Sequence, residues 1–266
     1  MRISKFFVPF VTAAMVATLA ACATAPETGR SQLLLINPAQ EAEMGFHAFQ
    51  EMKREEPIVR GGGQTERLRK VGQRIAAVAK VPHAQWEFVL FKDDDNVNAF
   101  ALPGGKVGVF TGILPITEND AGLATVIAHE IAHVVARHGA ERMSQSALIQ
   151  VGGSVLSAAL GTDGGVSRDI AMQAYKIGTT VGVALPYSRT QEAEADHLGL
   201  LYMARAGYDP RQAIAFWQRF AEYGRKRGGG PPEFLSTHPL DESRIVALER
   251  LLPEALQEYE RARSRR

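Results

Sequence analysis

Two histidines stand four residues apart, His129 and His133, with Glu130 directly after the first. On a helix, positions i and i+4 share one face, with Cβ atoms about 5–6 Å apart. Two imidazoles so placed can converge on one zinc ion at about 2.0–2.1 Å each. Glu130 falls about 100° further round, beside the metal without ligating it. A carboxylate there suits the base that acts on a water held by zinc.

A catalytic zinc takes three protein ligands and keeps one position open. The histidine pair is not continued by a His-x-x-Gly-x-x-His arrangement, which excludes the metzincin pattern. The stretch "SRTQEAEADHLG" instead offers Glu192, Glu194 and Asp196. Glu192 and Asp196 share a helix face, and Glu194 points roughly the opposite way. One carboxylate of the pair can ligate while the other steadies a ligand histidine from behind. His138 lies five residues after His133, about 140° round a continuous helix, and reads as a histidine near a helix C-terminus.

These residues need a helix beneath them. Thr117-Glu118-Asn119-Asp120 supplies an N-cap candidate and first-turn acids, so a helix is expected over 118–138 with Gly139 as its stop. A second helix, over 190–206 and closed by Gly207, must bring the carboxylates to it. Further helices are expected over 38–55 and 64–80, from Asp209-Pro210 onward, and over 241–261 with an interruption at Pro253. Strands are expected at 86–91 and 106–114, separated by turn chemistry in "NAFALPGG". Gly104, Gly105 and Gly108 are not a phosphate loop, because no Gly-Lys-Ser/Thr follows. Two apolar runs, 147–160 and 170–185, flank a glycine-rich break at 161–165, and the first is too short to span a bilayer. They read as core helices, with a loop folding over a cleft or touching the membrane as the alternative. Residues 225–232 read as a linker. The fold class expected is α+β, mainly helical, with a small β-sheet next to the active-site helix.

The N-terminus carries a different message. Arg2 and Lys5 precede an uncharged, small-residue-rich run over 6–21, the form of a secretory signal peptide. It ends Leu19-Ala20-Ala21-Cys22, which resembles a bacterial lipobox with Cys22 as the lipidated residue. Cys22 is the only cysteine, so no intramolecular disulfide can form. Ala23 after it, in place of an aspartate, favours the outer membrane, facing the periplasm. The domain expectation is a signal peptide at 1–21, a lipidated tether at 22–30 and a single domain at 31–266. With a net charge of +1 no nucleic-acid partner is expected, and the four arginines in 261–266 read as a solvated tail.

The combination of His129-Glu130-x-x-His133 with Ser188-Arg189-x-x-Glu192-x-x-Ala195-Asp196 resembles the zinc metallopeptidase family of the CAAX prenyl protease type I and HtpX. "NAFALPGG", "HVVARHGAERMS" and "STHPL" resemble its bacterial LoiP/BepA-like periplasmic members. The resemblance implies a gluzincin-type zincin domain with one Zn2+ per chain, held by His129, His133 and Glu192. Asp196 is then the neighbour behind a ligand and Glu130 the general base. It also implies an endopeptidase acting on misfolded or misassembled envelope proteins. Convincing transmembrane helices and a following repeat domain, features of some relatives, are absent from the sequence, so membrane-embedded substrates are not expected. By analogy with zinc peptidases, strand 106–110 is expected as an edge that pairs with an extended substrate.

His238 precedes Pro239, which holds it in extended or turn geometry. The matching His-Pro of the family implies that it either occupies the open zinc position at rest or stabilises the oxyanion. The plainer alternative is that it caps the helix expected from Asp241 or packs at the surface. A rival reading for the whole chain is a non-catalytic, chaperone-like lipoprotein with a structural zinc. Its signature would be a damaged motif, and Glu130 is intact.

Overall fold

The structure is a computed structural model that describes residues 22–159, 187–227, 231–240 and 242–265. The signal segment, the 161–165 break, the 170–185 apolar run and part of the 225–232 linker lie outside the described residues.

Helix α4 (Asp120–Val135) is the centre of the molecule, buried from Gly122 to His133 without a gap. A helix apolar on nearly all sides has to be surrounded, and this one is. On one side lies a three-stranded sheet of β3 (Glu87–Phe91), β4 (Ala99–Leu102) and β5 (Lys106–Phe110), in the order β3-β5-β4. Strands β3 and β5 are parallel, with Glu87 opposite Lys106, whereas β4 and β5 are antiparallel, with Ala99 opposite Val109. Strand β5 is therefore central and has no free edge. The expectation of 106–110 as the substrate-pairing edge is wrong, because the turn at Pro103-Gly104-Gly105 folds β4 back along it. The edge is β4.

Helix α2 (Gly63–Ala76) contributes Leu68, Val71 and Ile75 to the core beneath the sheet. Helix α1 (Pro38–Glu55) covers the opposite face, where Phe49, Phe91, Phe100 and Phe110 form a second, aromatic cluster. A 3-10 turn (Thr111–Ile113) and the short α3 (Leu114–Thr117) lead into α4. On its other side α4 meets α6 (Arg189–Arg205) and α7 (Arg211–Arg227), which supplies Phe216, Trp217 and Phe220. The short α8 (Glu233–Thr237) was not anticipated, and α9 (Glu242–Ser264) runs on through Pro253.

Two expectations about helix ends are corrected. Helix α4 stops at Val135, and Arg137 takes a left-handed φ of 59°. That conformation is unusual for a residue with a Cβ, and hydrogen bonds from Arg137 to Glu41 and to the carbonyl of Ile36 hold it there. Gly139 is therefore not a stop; it lies in the first turn of α5 (His138–Ala159). The apolar run from 147 is part of α5, but Leu148 and Ile149 are 50% and 74% exposed, so this turn is not core.

The segment expected as a tether is also folded. Strands β1 (Cys22–Thr24) and β2 (Ser31–Leu33) pair antiparallel, with Cys22 opposite Leu33. Ala25 is buried, and Glu27 accepts hydrogen bonds from Tyr202 and Arg205 on α6.

Candidate metal centre

Helix α4 is opened by Asn119, whose side chain accepts from the amides of Ala121 and Gly122. Satisfying these orphan donors fixes where the helix begins, and so the depth of His129 and His133. Helix α6 has the reciprocal form: Ser188 accepts from the Gln191 amide, and Gln191 accepts from the Ser188 amide. The two helices approach closely because Gly199 faces His129. A Cβ on Gly199 would lie 3.1 Å from the His129 backbone nitrogen and Cα.

That approach carries Glu192 to the histidine pair, and His238 arrives from the end of α8. His129 Nε2 lies 3.2 Å from His133 Nε2 and 3.2 Å from His238 Nδ1. Glu192 Oε1 lies 3.3 Å from His133 Nε2 and 2.9 Å from His238 Nδ1, and its Oε2 is 3.5 Å from His129 Nε2. Ligands at about 2.0–2.1 Å from a tetrahedral centre are separated by roughly 3.3–3.4 Å. The donor set of three imidazoles and one carboxylate, all buried, therefore fits a small divalent cation.

Behind the donors, Asp196 Oδ1 sits 3.1 Å from His129 Nδ1. Arg244 holds Asp196 with both arms of its guanidinium, each at 2.8 Å. A third Arg244 nitrogen lies 2.6 Å from Glu192 Oε2. Burial alone would lower the His129 pKa, but Glu192 and Asp196 outweigh it and push the ring up to about 9. Burial lowers His133 well below the ordinary imidazole value, only partly opposed by Glu192. Glu192 is held well below the carboxylate range: burial opposes ionisation, but His238 and His129 outweigh it.

Glu130 stands apart from this set, as its position on the helix requires. Its Oε1 is 3.3 Å from His238 Nε2, and burial raises its pKa. Glu130 and His238 share a small recess with Asn98, Phe100, Arg142 and Tyr187.

The match to peptidase family M48 covers residues 63–252. The chain belongs to that family. It is 40% identical over 182 residues to the mitochondrial metalloendopeptidase OMA1 of Saccharomyces cerevisiae, covering 67% of this chain and 50% of that protein. It is 31% identical over 229 residues to the beta-barrel assembly-enhancing protease of Escherichia coli, covering 84% of this chain and 46% of that protein. With the OMA1 of Arabidopsis thaliana it shares 36% over 193 residues, covering 72% of this chain and 37% of that protein. The chain thus spans about half or less of the length of these relatives. Among the described residues, no helix is long and apolar enough to cross a membrane.

The structure brings together His129, His133, Glu192 and His238, with Glu130 and Asp196 beside them. His138 is not at a helix C-terminus: the break at Arg137 turns it back, and its Nδ1 lies 2.8 Å from His133 Nδ1. Glu194 likewise points inward, 3.0 Å from His138 Nε2. Three residues gave no sequence signal strong enough to find them. Arg244 is one. Tyr187 is another, stacked on His133 with ring centroids 3.8 Å apart and its phenol pushed up to about 12 by burial. The third is Arg142, whose guanidinium lies 3.7 Å over the Tyr187 ring. The position of Tyr187 just before the Ser188 cap was the available hint.

Proposed function

We propose that the protein is a zinc metalloendopeptidase. The observation that carries this reading is the convergence of His129, His133 and Glu192 at the edge lengths of a zinc tetrahedron, with Glu130 alongside but outside the set. Zinc bound there would supply Lewis acidity, polarising a scissile carbonyl and acidifying water. Glu130, its pKa raised by burial, takes a proton and returns it to the leaving amine. Strand β4, the sheet edge beside the recess, receives an extended substrate as an added strand; main-chain pairing of this kind gives affinity with little sequence selectivity. The deciding experiment is zinc stoichiometry together with casein-type proteolysis, comparing the parent with Glu130→Gln. The variant should keep zinc and lose proteolysis. A zinc-loaded parent with no proteolysis would leave the chaperone-like reading in its place, and equal proteolysis by both would remove Glu130 from the role of base.

His238 Nδ1 sits among the ligand atoms, which supports the blocking role over the oxyanion role. His238→Ala should then raise basal proteolysis. A fall of about 10²–10³-fold would assign it to the oxyanion instead.

The cellular reading is an outer-membrane lipoprotein facing the periplasm, anchored through Cys22 and acting on misfolded or misassembled envelope proteins. It rests on the lipobox-like sequence and on similarity to the beta-barrel assembly-enhancing protease. With Cys22 itself in strand β1, an acyl anchor there would hold the domain close against the bilayer. Cys22→Ser should release the protein from membranes or leave its signal uncleaved; normal processing with full membrane retention would refute the anchor.

A further inference from the structure

The support behind His133 runs out of the catalytic helices altogether. A histidine that gives its Nε2 lone pair to a metal carries its proton on Nδ1. In His133 that Nδ1 faces His138 Nδ1 at 2.8 Å, a gap that holds one hydrogen. His138 Nδ1 must then accept, which puts the His138 proton on Nε2. That nitrogen faces Glu194 Oε2 at 3.0 Å. Each N–H in the series donates outward, away from the metal position.

The series ends on the N-terminal hairpin. Glu194 accepts from the Thr28 hydroxyl and, at 2.5 Å, from Arg30 Nε. The other Arg30 nitrogens reach both oxygens of Glu141 on α5, at 2.8 and 2.7 Å. Gln191 of α6 donates to the same Glu141 at 2.8 Å. His133, His138, Glu141 and Glu194 are all buried, so water is a poor substitute for any of these partners. The turn that presents Thr28 and Arg30 is itself fixed, by Ala25 N–H donating to the Arg30 carbonyl at 2.7 Å and Gly29 N–H to the Ala25 carbonyl at 3.0 Å.

We propose that His138, Glu194 and Arg30 are positioning residues for the metal ligand His133, which makes the hairpin around residues 22–33 a working part of the metal centre. The inference rests on the metal-site reading of His133. Partners of this outer kind fix the tautomer and orientation of a ligand imidazole, and losing one typically costs about 10–100-fold in metal affinity.

The test uses the full chain carrying Glu130→Gln, to suppress self-cleavage, and measures zinc affinity by chelator competition and the absorption spectrum of the cobalt-loaded protein. His138→Leu should weaken zinc about 10–100-fold. His138→Asn, whose Oδ1 can accept from His133 Nδ1, should recover most of that loss; a purely space-filling role would not separate the two. Arg30→Ala acts from the partly exposed end of the chain, so it decides the matter if His138→Leu does not fold. It should weaken zinc several-fold and shift the cobalt spectrum with secondary structure unchanged. Zinc affinity and cobalt spectrum unchanged in folded Arg30→Ala would overturn the proposal. His133→Ala is the control: zinc retained there would overturn the metal-site reading itself, a distinct failure from normal zinc loss in His133→Ala with no effect at Arg30.

Discussion

Behind His129 stands a carboxylate clamped by an arginine; behind His133 stands a second imidazole, then a carboxylate, then an arginine from the other end of the chain. The first support is short and C-terminal, built from Asp196 on α6 and Arg244 on α9. The second is long and joins α5, α6 and the N-terminal hairpin. Burial would lower both rings; Glu192 and Asp196 together outweigh it at His129 and push that ring up, whereas at His133 Glu192 opposes it only in part and the ring stays low. Two chemically identical imidazoles, one helical turn apart, are thus held by different parts of the molecule. The His129 support depends on how α6 meets α4, and the His133 support depends on whether the hairpin at residues 22–33 is docked.

The largest effect that bears on this contrast is loss of a ligand itself. His133→Ala or Glu192→Ala should lower zinc affinity by more than the roughly 10²-fold upper range seen for outer partners. Metal analysis after dialysis measures it; if Glu194→Ala lost zinc while Glu192→Ala kept it, the ligand assignment would be wrong. Next comes a direct comparison of the two supports with near-isosteric changes. Asp196→Asn should weaken zinc about 10–100-fold, because it touches His129 and also carries Arg244. Glu194→Gln should cost less, since His138 stands between it and the ligand. The reverse order in chelator titrations would mean that the longer chain dominates.

Much of the first support was legible in the sequence and little of the second was. His129, His133, Glu192 and Asp196 are pairs at i and i+4, and helix periodicity alone places each pair on one face. His238 was visible through its proline. His138 was misread because its spacing was projected along an unbroken helix, while the chain breaks at Arg137, a residue without the usual signature of a left-handed position. The stop was assigned to Gly139, two residues late. Glu194 was read as outward-facing because nothing local shows that a hairpin from residues 22–33 covers that side of α6. An edge position for β5 rests on analogy with zinc peptidases, and nothing in the strand's own residues shows that β3 and β4 flank it on both sides. Arg244 is a long-range partner with no periodicity to reveal it.

A smaller effect tests how tightly the His129 side is built. Gly199→Ala would place a Cβ 3.1 Å from the His129 backbone, forcing α4 and α6 apart by a few tenths of an ångström. Helix propensity favours alanine by about 1 kcal/mol, but overpacking against backbone costs about 1–3 kcal/mol. The net expectation is destabilisation of about 1 kcal/mol with weaker zinc binding, read by urea unfolding and chelator titration. A more stable variant with unchanged zinc affinity would show that the close approach is not what sets His129.

The smallest effect concerns the dock of the hairpin and is read through pH. Burial pushes the Glu141 carboxyl up, but hydrogen bonds from Arg30 and Gln191 outweigh it and hold the folded pKa below 4.5. A carboxyl lowered on folding contributes stability that is fully present above its unfolded pKa and is lost as pH falls through the folded value. The parent should therefore exceed Glu141→Gln in stability at pH 7 by roughly 0.5–1 kcal/mol, because the glutamine oxygen still accepts and only the excess of a charged over a neutral hydrogen bond is lost. That gap should narrow steadily below about pH 4.5, since the glutamine does not titrate. Acids that do not share Arg30 titrate alike in both proteins and cancel in the difference. Hydrogen exchange at the Ala25 and Gly29 amides, which close the turn presenting Arg30, localises the effect. These amides should lose protection in acid in the parent and be already less protected at pH 7 in Glu141→Gln. A gap that stays constant or widens in acid would mean that Glu141 does not hold Arg30 in place, and the hairpin would have to be docked by Glu27 and Ala25 instead.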